Sequence, residues 1–275
     1  MNKIKMKKII LLILFTSTIG LAQVQDNNGQ SGRKGTIFFY WGWNRGWFSN
    51  SDITFSGDNY DFTLKDAAAS DRQSKFELGT YLNPGTATIP QYNFRIGYYI
   101  TNHYNISLGF DHMKYVLNQN QIVKISGKIN NTGTVYDKTY SNENINIQGG
   151  FLLFEHTNGL NYVNLEFRRI DEIYKYKNIS VNLTEGLGAG ILVPKTNTTL
   201  LNFKRYDEFH LSGYGIDAIV GLNVTFFNFF FVQSEFKQGY INMPDIRTTI
   251  FDSDRASQHF FFSQFNIVFG TNISL

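Results

Sequence analysis

Taken in steps of two, residues 92–110 sort into two chemistries. Phe94, Ile96, Tyr98 and Ile100 alternate with Asn93, Arg95, Gly97 and Thr101. After a polar turn, Thr101-Asn102-His103, the pattern resumes: Ile106, Leu108 and Phe110 alternate with Asn105, Ser107 and Gly109. A period of two sends successive side chains to opposite faces, so this stretch predicts a β-hairpin with one apolar face and one polar face. The same alternation runs through 35–47, 160–169, 179–193, 214–226, 230–240 and 265–275, giving eight expected strands.

The connections choose among the sheets these strands can form. Links at 101–103, 175–178 and 227–229 are short, whereas 49–90, 118–159, 194–208 and 244–256 are long. A soluble β-sandwich is the competing architecture. Short links alternating with long ones are the mark of an up-and-down barrel in an outer membrane, with tight turns in the periplasm and long loops outside. Composition agrees, because 26 Phe and 16 Tyr sit beside 24 Gly and only 4 Pro, as half-apolar strands would require. An open sheet edge in hydrocarbon costs several kcal/mol per unpaired backbone group, so such a sheet must close.

The expected fold is therefore all-β: a transmembrane antiparallel barrel of eight strands over residues 35–275, with long extracellular loops. Ten strands is the alternative, reached if "DITFSGDNYDFTL" and a partner join the ring. Eight strands leave an interior wide enough only for side chains, so no open pore is expected. The inward positions carry Arg95, Asp111, Glu166, Arg168, Asp217, Glu235 and Lys237, which must pair with one another to be buried. Glu185 falls on the apolar parity of its strand, which calls for a bulge in the neighbouring "EGLGAG" or a membrane boundary at that level. Trp41, Trp43 and Trp47, beside Tyr40 and Arg45, read as an interfacial belt.

The start of the chain places it in the envelope. Four lysines, an apolar run from Ile9 to Phe15, and Gly20 and Ala22 make residues 1–22 a secretory signal peptide, leaving 23–34 as an N-terminal periplasmic segment. The formal charge is +3, and it becomes −1 when Lys3, Lys5, Lys7 and Lys8 leave with the signal, so no nucleic-acid partner is expected. With no cysteine there are no disulfides or thiolate metal sites. The last strand reaches Leu275 with alternation behind it. That suits recognition by the outer-membrane assembly machinery, although the usual signal ends in Phe or Tyr. The expected location is the bacterial outer membrane, and the Asn-, Lys- and aromatic-rich composition has a Bacteroidetes-like style.

Candidate chemistry gathers at one rim. In "LGFDHMKY" the apolar face of the third strand stops at Asp111, His112 and Lys114, where the hydrocarbon is expected to end. A second acid–histidine pair, Glu155-His156, precedes the neighbouring strand, and the next strand rises to "ILVPKTN". Three adjacent strands thus deliver nine polar residues to one place. A carboxylate beside an imidazole can orient it for acid–base work, which makes Asp111, His112, Glu155 and His156 the catalytic candidates. Lys114, Asn158, Asn161, Lys195 and Asn197 are the candidate contacts to lipid and phosphate. No metal-ligand spacing, P-loop, Rossmann turn or Ser–His pairing is present, and no cofactor is indicated.

Three phrases, "GFDHMKYVL", "FEHTNGLNYVNLEF" and "GLGAGILVPKTN", resemble the core of a family of small Gram-negative outer-membrane barrels that includes lipid A oxidase. His112 and Lys114 match its first phrase, Asp-x-x-His-x-Lys. Gly159, Leu160 and Asn161 match Asp-Gly-Leu-Asn, with Asn158 in place of Asp. Gly188, Gly190 and Pro194 match the third phrase, in which Lys195 and Asn197 replace the family's His and Glu. The lipid A 3-O-deacylase pattern, His-x-Ser-Asn, is matched less well, since Thr157 and Asn158 follow His156 and the serine is absent. The resemblance implies a lipid A-modifying barrel. The expected function is an outer-membrane barrel engaging lipopolysaccharide at its outer rim, in its strong form as an enzyme. The alternative is a non-enzymatic structural, adhesive or accessory barrel whose long loops bind a protein partner.

Overall fold

The computed structural model describes residues 32–274 apart from 76, 82, 84, 86–89 and 204–205. The expected signal peptide, residues 23–31 of the expected periplasmic segment, and Leu275 lie outside the described residues. Fifteen strands follow one another among the described residues. They are β1 (Thr36–Phe48), β2 (Ser51–Gly57), β3 (Tyr60–Ala67), β4 (Ala69–Ser70), β5 (Tyr92–Tyr99), β6 (Tyr104–Leu117), β7 (Ile122–Ile129) and β8 (Lys138–Asn146). After these come β9 (Leu152–Tyr176), β10 (Ile179–Leu192), β11 (Lys195–Leu200), β12 (Tyr206–Phe209), β13 (Gly213–Phe226), β14 (Phe230–Arg247) and β15 (Arg255–Ser274).

Eight of them close a ring in the order β1-β5-β6-β9-β10-β13-β14-β15. All neighbours are antiparallel, and the ring shuts where Thr36 to Phe48 of β1 pair with Ser274 to Phe262 of β15. These are the eight strands that the alternation predicts. The segment 52–64 does form a hairpin, β2–β3, but it hangs on β15 above the ring, so the ten-strand alternative does not form. The tight turn after β13 is held by Phe229 N–H on the Phe226 carbonyl, with Phe227 and Asn228 at φ of 55° and 59°. Two consecutive positive φ values match the right-handed twist of the flanking strands.

The ring's outer wall is apolar. Leu108 and Leu165 remain 50% and 58% exposed, and Phe94, Ile96, Phe167, Ile216 and Phe236 share that face. Every one of the seven inward charged residues named from the alternation is buried. A closed ring with greasy residues outside and ions inside is stable only where the surrounding solvent is lipid. Glu185 stays on the outer face in register with Arg169. The register shift in this strand pair lies at Val181/Asn182, outside the glycine-rich run.

The long loops are themselves folded. β9 has 25 residues, more than twice the roughly 9–11 a tilted strand needs to cross hydrocarbon. Its upper end, with those of β6, β14 and β15, rises above the ring. There β15 continues into a sheet β2-β3-β7-β8, and β9 continues into β11-β12. Inside this cap, Ile53, Phe55, Phe62, Leu64, Ile125, Phe151, Phe154 and Phe260 form an apolar core with no more than 1% exposure each.

Candidate functional site

Below the cap the lumen holds an apolar cluster of Phe38, Tyr40, Tyr99, Ile170, Phe231 and Val268 and, beside it, one ion network. Glu166 is its centre: its carboxylate accepts from Arg95 at 2.6 Å, Arg168 at 2.5 Å and Lys237 at 2.8 Å. Lys237 also pairs with Asp111, and Arg168 with Glu235. Tyr40 accepts from Arg95 at 3.0 Å and Arg168 at 2.9 Å, and Tyr162 donates to Asp217 at 2.7 Å. Glycines make the room for these long side chains. A Cβ at Gly109 would lie 2.2 Å from the Arg95 guanidinium, and one at Gly188 would lie 2.7 Å from both Asp217 and Glu166. The repeated Gly of "GLGAG" therefore has a packing reason in the lumen. The inward positions at this level are thus occupied by side chains that pair with one another.

Strand alternation then splits the candidate rim residues between the two sides of the wall. Asp111 points inward, 1% exposed, where it accepts from Lys237, from Asn93 at 2.5 Å and from Asn164 at 3.1 Å. Its sequence neighbour His112 points outward and stacks on Tyr92, with ring centroids 5.0 Å apart. Glu155 and His156 are divided in the opposite sense. Glu155 faces out, paired with Arg72 at 2.9 Å and accepting from Asn197 at 2.8 Å. His156 is fully buried in the cap, between Phe154 and Tyr115. Each acid thus lies on the opposite face from the histidine beside it, and neither orients that histidine.

His156 is fixed by other groups. Gln258 Oε1 accepts from the Tyr115 hydroxyl at 3.2 Å, so its amide N–H faces His156 Nε2 at 3.3 Å. The ring proton then sits on Nδ1, which donates to Thr196 Oγ1 at 3.0 Å. Burial pushes the His156 pKa down to about 3, so the ring is neutral at ordinary pH. A neutral imidazole without solvent exposure belongs to the cap's packing and meets no lipid.

His112 has a different arrangement. Asn161 Nδ2 donates to the Val193 carbonyl at 3.0 Å, which leaves its Oδ1 to face His112 Nδ1 at 2.9 Å. The amide therefore holds the proton on Nδ1 and turns the Nε2 lone pair outward. Gly159 makes this possible: its φ is +121°, and a Cβ there would lie 2.3 Å from Asn161 Oδ1. The register shift between Met113 and Tyr115 bulges Thr157-Asn158-Gly159 out of β9 at this level.

Around His112 the outer wall carries Lys114, half-buried on the same face. Asn158 donates to Asp207 at 3.0 Å, and Lys195 lies 3.8 Å from the same carboxylate. Seven of the nine candidate residues thus share the outer face of β6, β9 and β11, while Asp111 and His156 lie within. The sequence reading missed Tyr92 and Arg72. Tyr92 was available, since the hairpin register places it opposite His112. Arg72 sits in a stretch with no alternation to signal it.

No family model and no curated protein matches the chain. Solved structures similar to it include Ail, the attachment invasion locus protein of Yersinia pestis, at 9% identity and a TM-score of 0.35, covering 87% of this chain and 99% of that one. OprG from Pseudomonas aeruginosa stands at 9% identity and 0.41, covering 90% and 100%. The outer-membrane protease OmpT from Escherichia coli stands at 10% identity and 0.31, covering 91% and 99%. By its own closed ring, apolar wall and filled lumen, the chain is a β-barrel of the bacterial outer membrane.

Proposed function

We propose that this barrel engages lipopolysaccharide through the outer wall of β6, β9 and β11, and in the strong form modifies lipid A there. The observation that carries this reading is His112, an imidazole facing the lipid side at the upper limit of the apolar wall with its tautomer set by Asn161. An Nε2 lone pair held outward can take a proton from a lipid hydroxyl or water. Lys114 and Lys195 supply positive charge for the phosphates of lipid A, and Asn158 and Asn197 line the same wall. His156 and Asp111 have no part in it, because both are enclosed.

A second reading is favoured by the partners already taken up: Asp111 serves Lys237 and Glu155 serves Arg72, so neither is left to assist His112. On that reading the barrel is a structural, adhesive or accessory protein whose folded cap binds a partner. Mass spectrometry of lipid A from wild-type, deletion and His112→Ala cells separates them. An enzyme gives a mass difference that both mutants lose. An unchanged profile in cells making the protein, with a partner co-purifying in stoichiometric amount, removes the enzymatic form.

A further inference from the structure

Three strands round the ring from β6, the outer wall has a notch where β15 changes partner. β15 pairs with β1 as far as Phe262↔Phe48 and with β2 from Gln258↔Ile53. Between them the chain kinks at Ser49-Asn50, with Ser49 N–H donating to the Phe261 carbonyl at 2.8 Å. The kink leaves a cavity of about 270 Å³ lined by Asn50, Asp52, Asp66, Tyr240, His259 and Phe261, among others. That is just below the range of about 300–1,000 Å³ usual for small-molecule pockets, so it suits one small ring.

Two kinds of surface meet there. Phe261 is 59% exposed and lies 5.2 Å from the Tyr240 ring, which is 6.0 Å from His259, so three rings form one wall. Opposite them, Asp52 is fully engaged, accepting from Lys65 at 2.7 Å and from Asp66 N–H at 3.0 Å. The Asp66 carboxylate, the His259 imidazole and the Asn50 amide make no hydrogen bond among the described residues. The notch also lies at a boundary: outward residues of β15 run Phe269, Ile267, Phe265 below it and Ser257, Arg255 above it.

We infer that this notch binds one sugar ring of an outer-leaflet glycolipid. Aromatic rings accept the C–H face of a pyranose, while a carboxylate, an amide and an imidazole take its hydroxyls. At the top of the apolar wall, the sugars of outer-leaflet glycolipids are the hydroxyl-rich groups within reach. The inference shares with the proposed function only the outer-leaflet glycolipid as ligand, and uses none of the His112 residues.

Saturation-transfer NMR on the full mature chain in detergent micelles tests it, with core oligosaccharide released from lipopolysaccharide as probe and maltotriose as a soluble glucan for comparison. The released oligosaccharide lacks lipid A, so the result is independent of His112. Saturable binding of the oligosaccharide is expected, weakened at least fivefold by Asp66→Asn and by Tyr240→Leu. Asparagine tolerates the left-handed backbone at position 66, where φ is 53°, and a heat-dependent gel shift confirms that each variant is folded. No saturable signal, wild-type affinity in both folded variants, or equal binding of maltotriose overturns the assignment.

Discussion

The ring at membrane level and the cap above it are built by the same strands with opposite rules. In the ring the inward residues are ions and amides together with one apolar cluster of Phe38, Tyr40, Tyr99, Ile170, Phe231 and Val268, and the outward ones are apolar. In the cap the inward residues are mainly apolar, with a small buried polar group around His156, Gln258 and Thr196, and most outward ones are polar. The exchange happens within about two residues of one level on four strands, without a change of parity. Inward positions pass from Asp111 to Met113 on β6, from Tyr162 to Leu160 on β9, from Gly239 to Ile241 on β14, and from Gln264 to Phe262 on β15. Outward positions on β6 pass from Ile106, Leu108 and Phe110 to His112 and Lys114. The solvent changes from hydrocarbon to water there, and both faces answer to it. Above the level, burial of apolar area stabilises the interior. Below it no such force acts between wall and lipid, and the narrow lumen is held by ions that satisfy one another.

The comparison yields tests of graded size. Glu166→Gln should have the largest effect, because it leaves three buried cations short of their shared partner. Breaking one member of a buried ion network costs about 3–5 kcal/mol. A large fall in the urea midpoint in micelles, or failure to fold, is expected, and a midpoint equal to wild type would mean that the lumen network contributes nothing. Ile125→Ala removes part of the cap core, where Ile125 has no exposure. A loss of about 2–4 kcal/mol is expected, confined to the cap. Proteolysis should then cut the loops while the ring stays protected; simultaneous loss of the ring would show that the two regions fold as one unit.

The smallest effect is that of pH on the cap. His156 is held neutral by burial, with its pKa lowered from 6.5 to about 3. As pH falls through this window the unfolded cap binds a proton that the folded cap refuses, so stability is present above about 6.5 and is lost on acidification. At pH 5.5 the loss is about 1.4 kcal/mol. The opening free energy of cap amides, taken from hydrogen exchange after correction for the intrinsic rate at each pH, should fall accordingly, and its pH slope should flatten in His156→Gln. An identical slope in that variant would assign the effect to another group.

Much of this was legible in the residues themselves. Alternation located all eight ring strands and put Arg95, Asp111, Glu166, Arg168, Asp217, Glu235 and Lys237 inside, because side-chain direction in a strand depends only on position parity. For the same reason His112 and Lys114 could be placed on the lipid side. The facing of Glu155 and His156 could not be read from the regular strand alone, since parity carries across the bulge at 157–159 only because it adds two residues and not one. Nor could the tautomer of His112, which depends on an amide from β9 and a carbonyl beyond β10.

What the sequence determined alone was a closed barrel with a polar lumen and an apolar wall, for period-two chemistry is a local property and hydrocarbon forbids an open edge. Only the tertiary structure decided that the loops form a cap with its own core. Ile53, Phe55, Phe62, Leu64, Val123 and Ile125 each show a local alternation, but β3 finds β7, and β2 finds β15, across long stretches of chain. Pairing between distant strands depends on shape and register that no short window of residues contains.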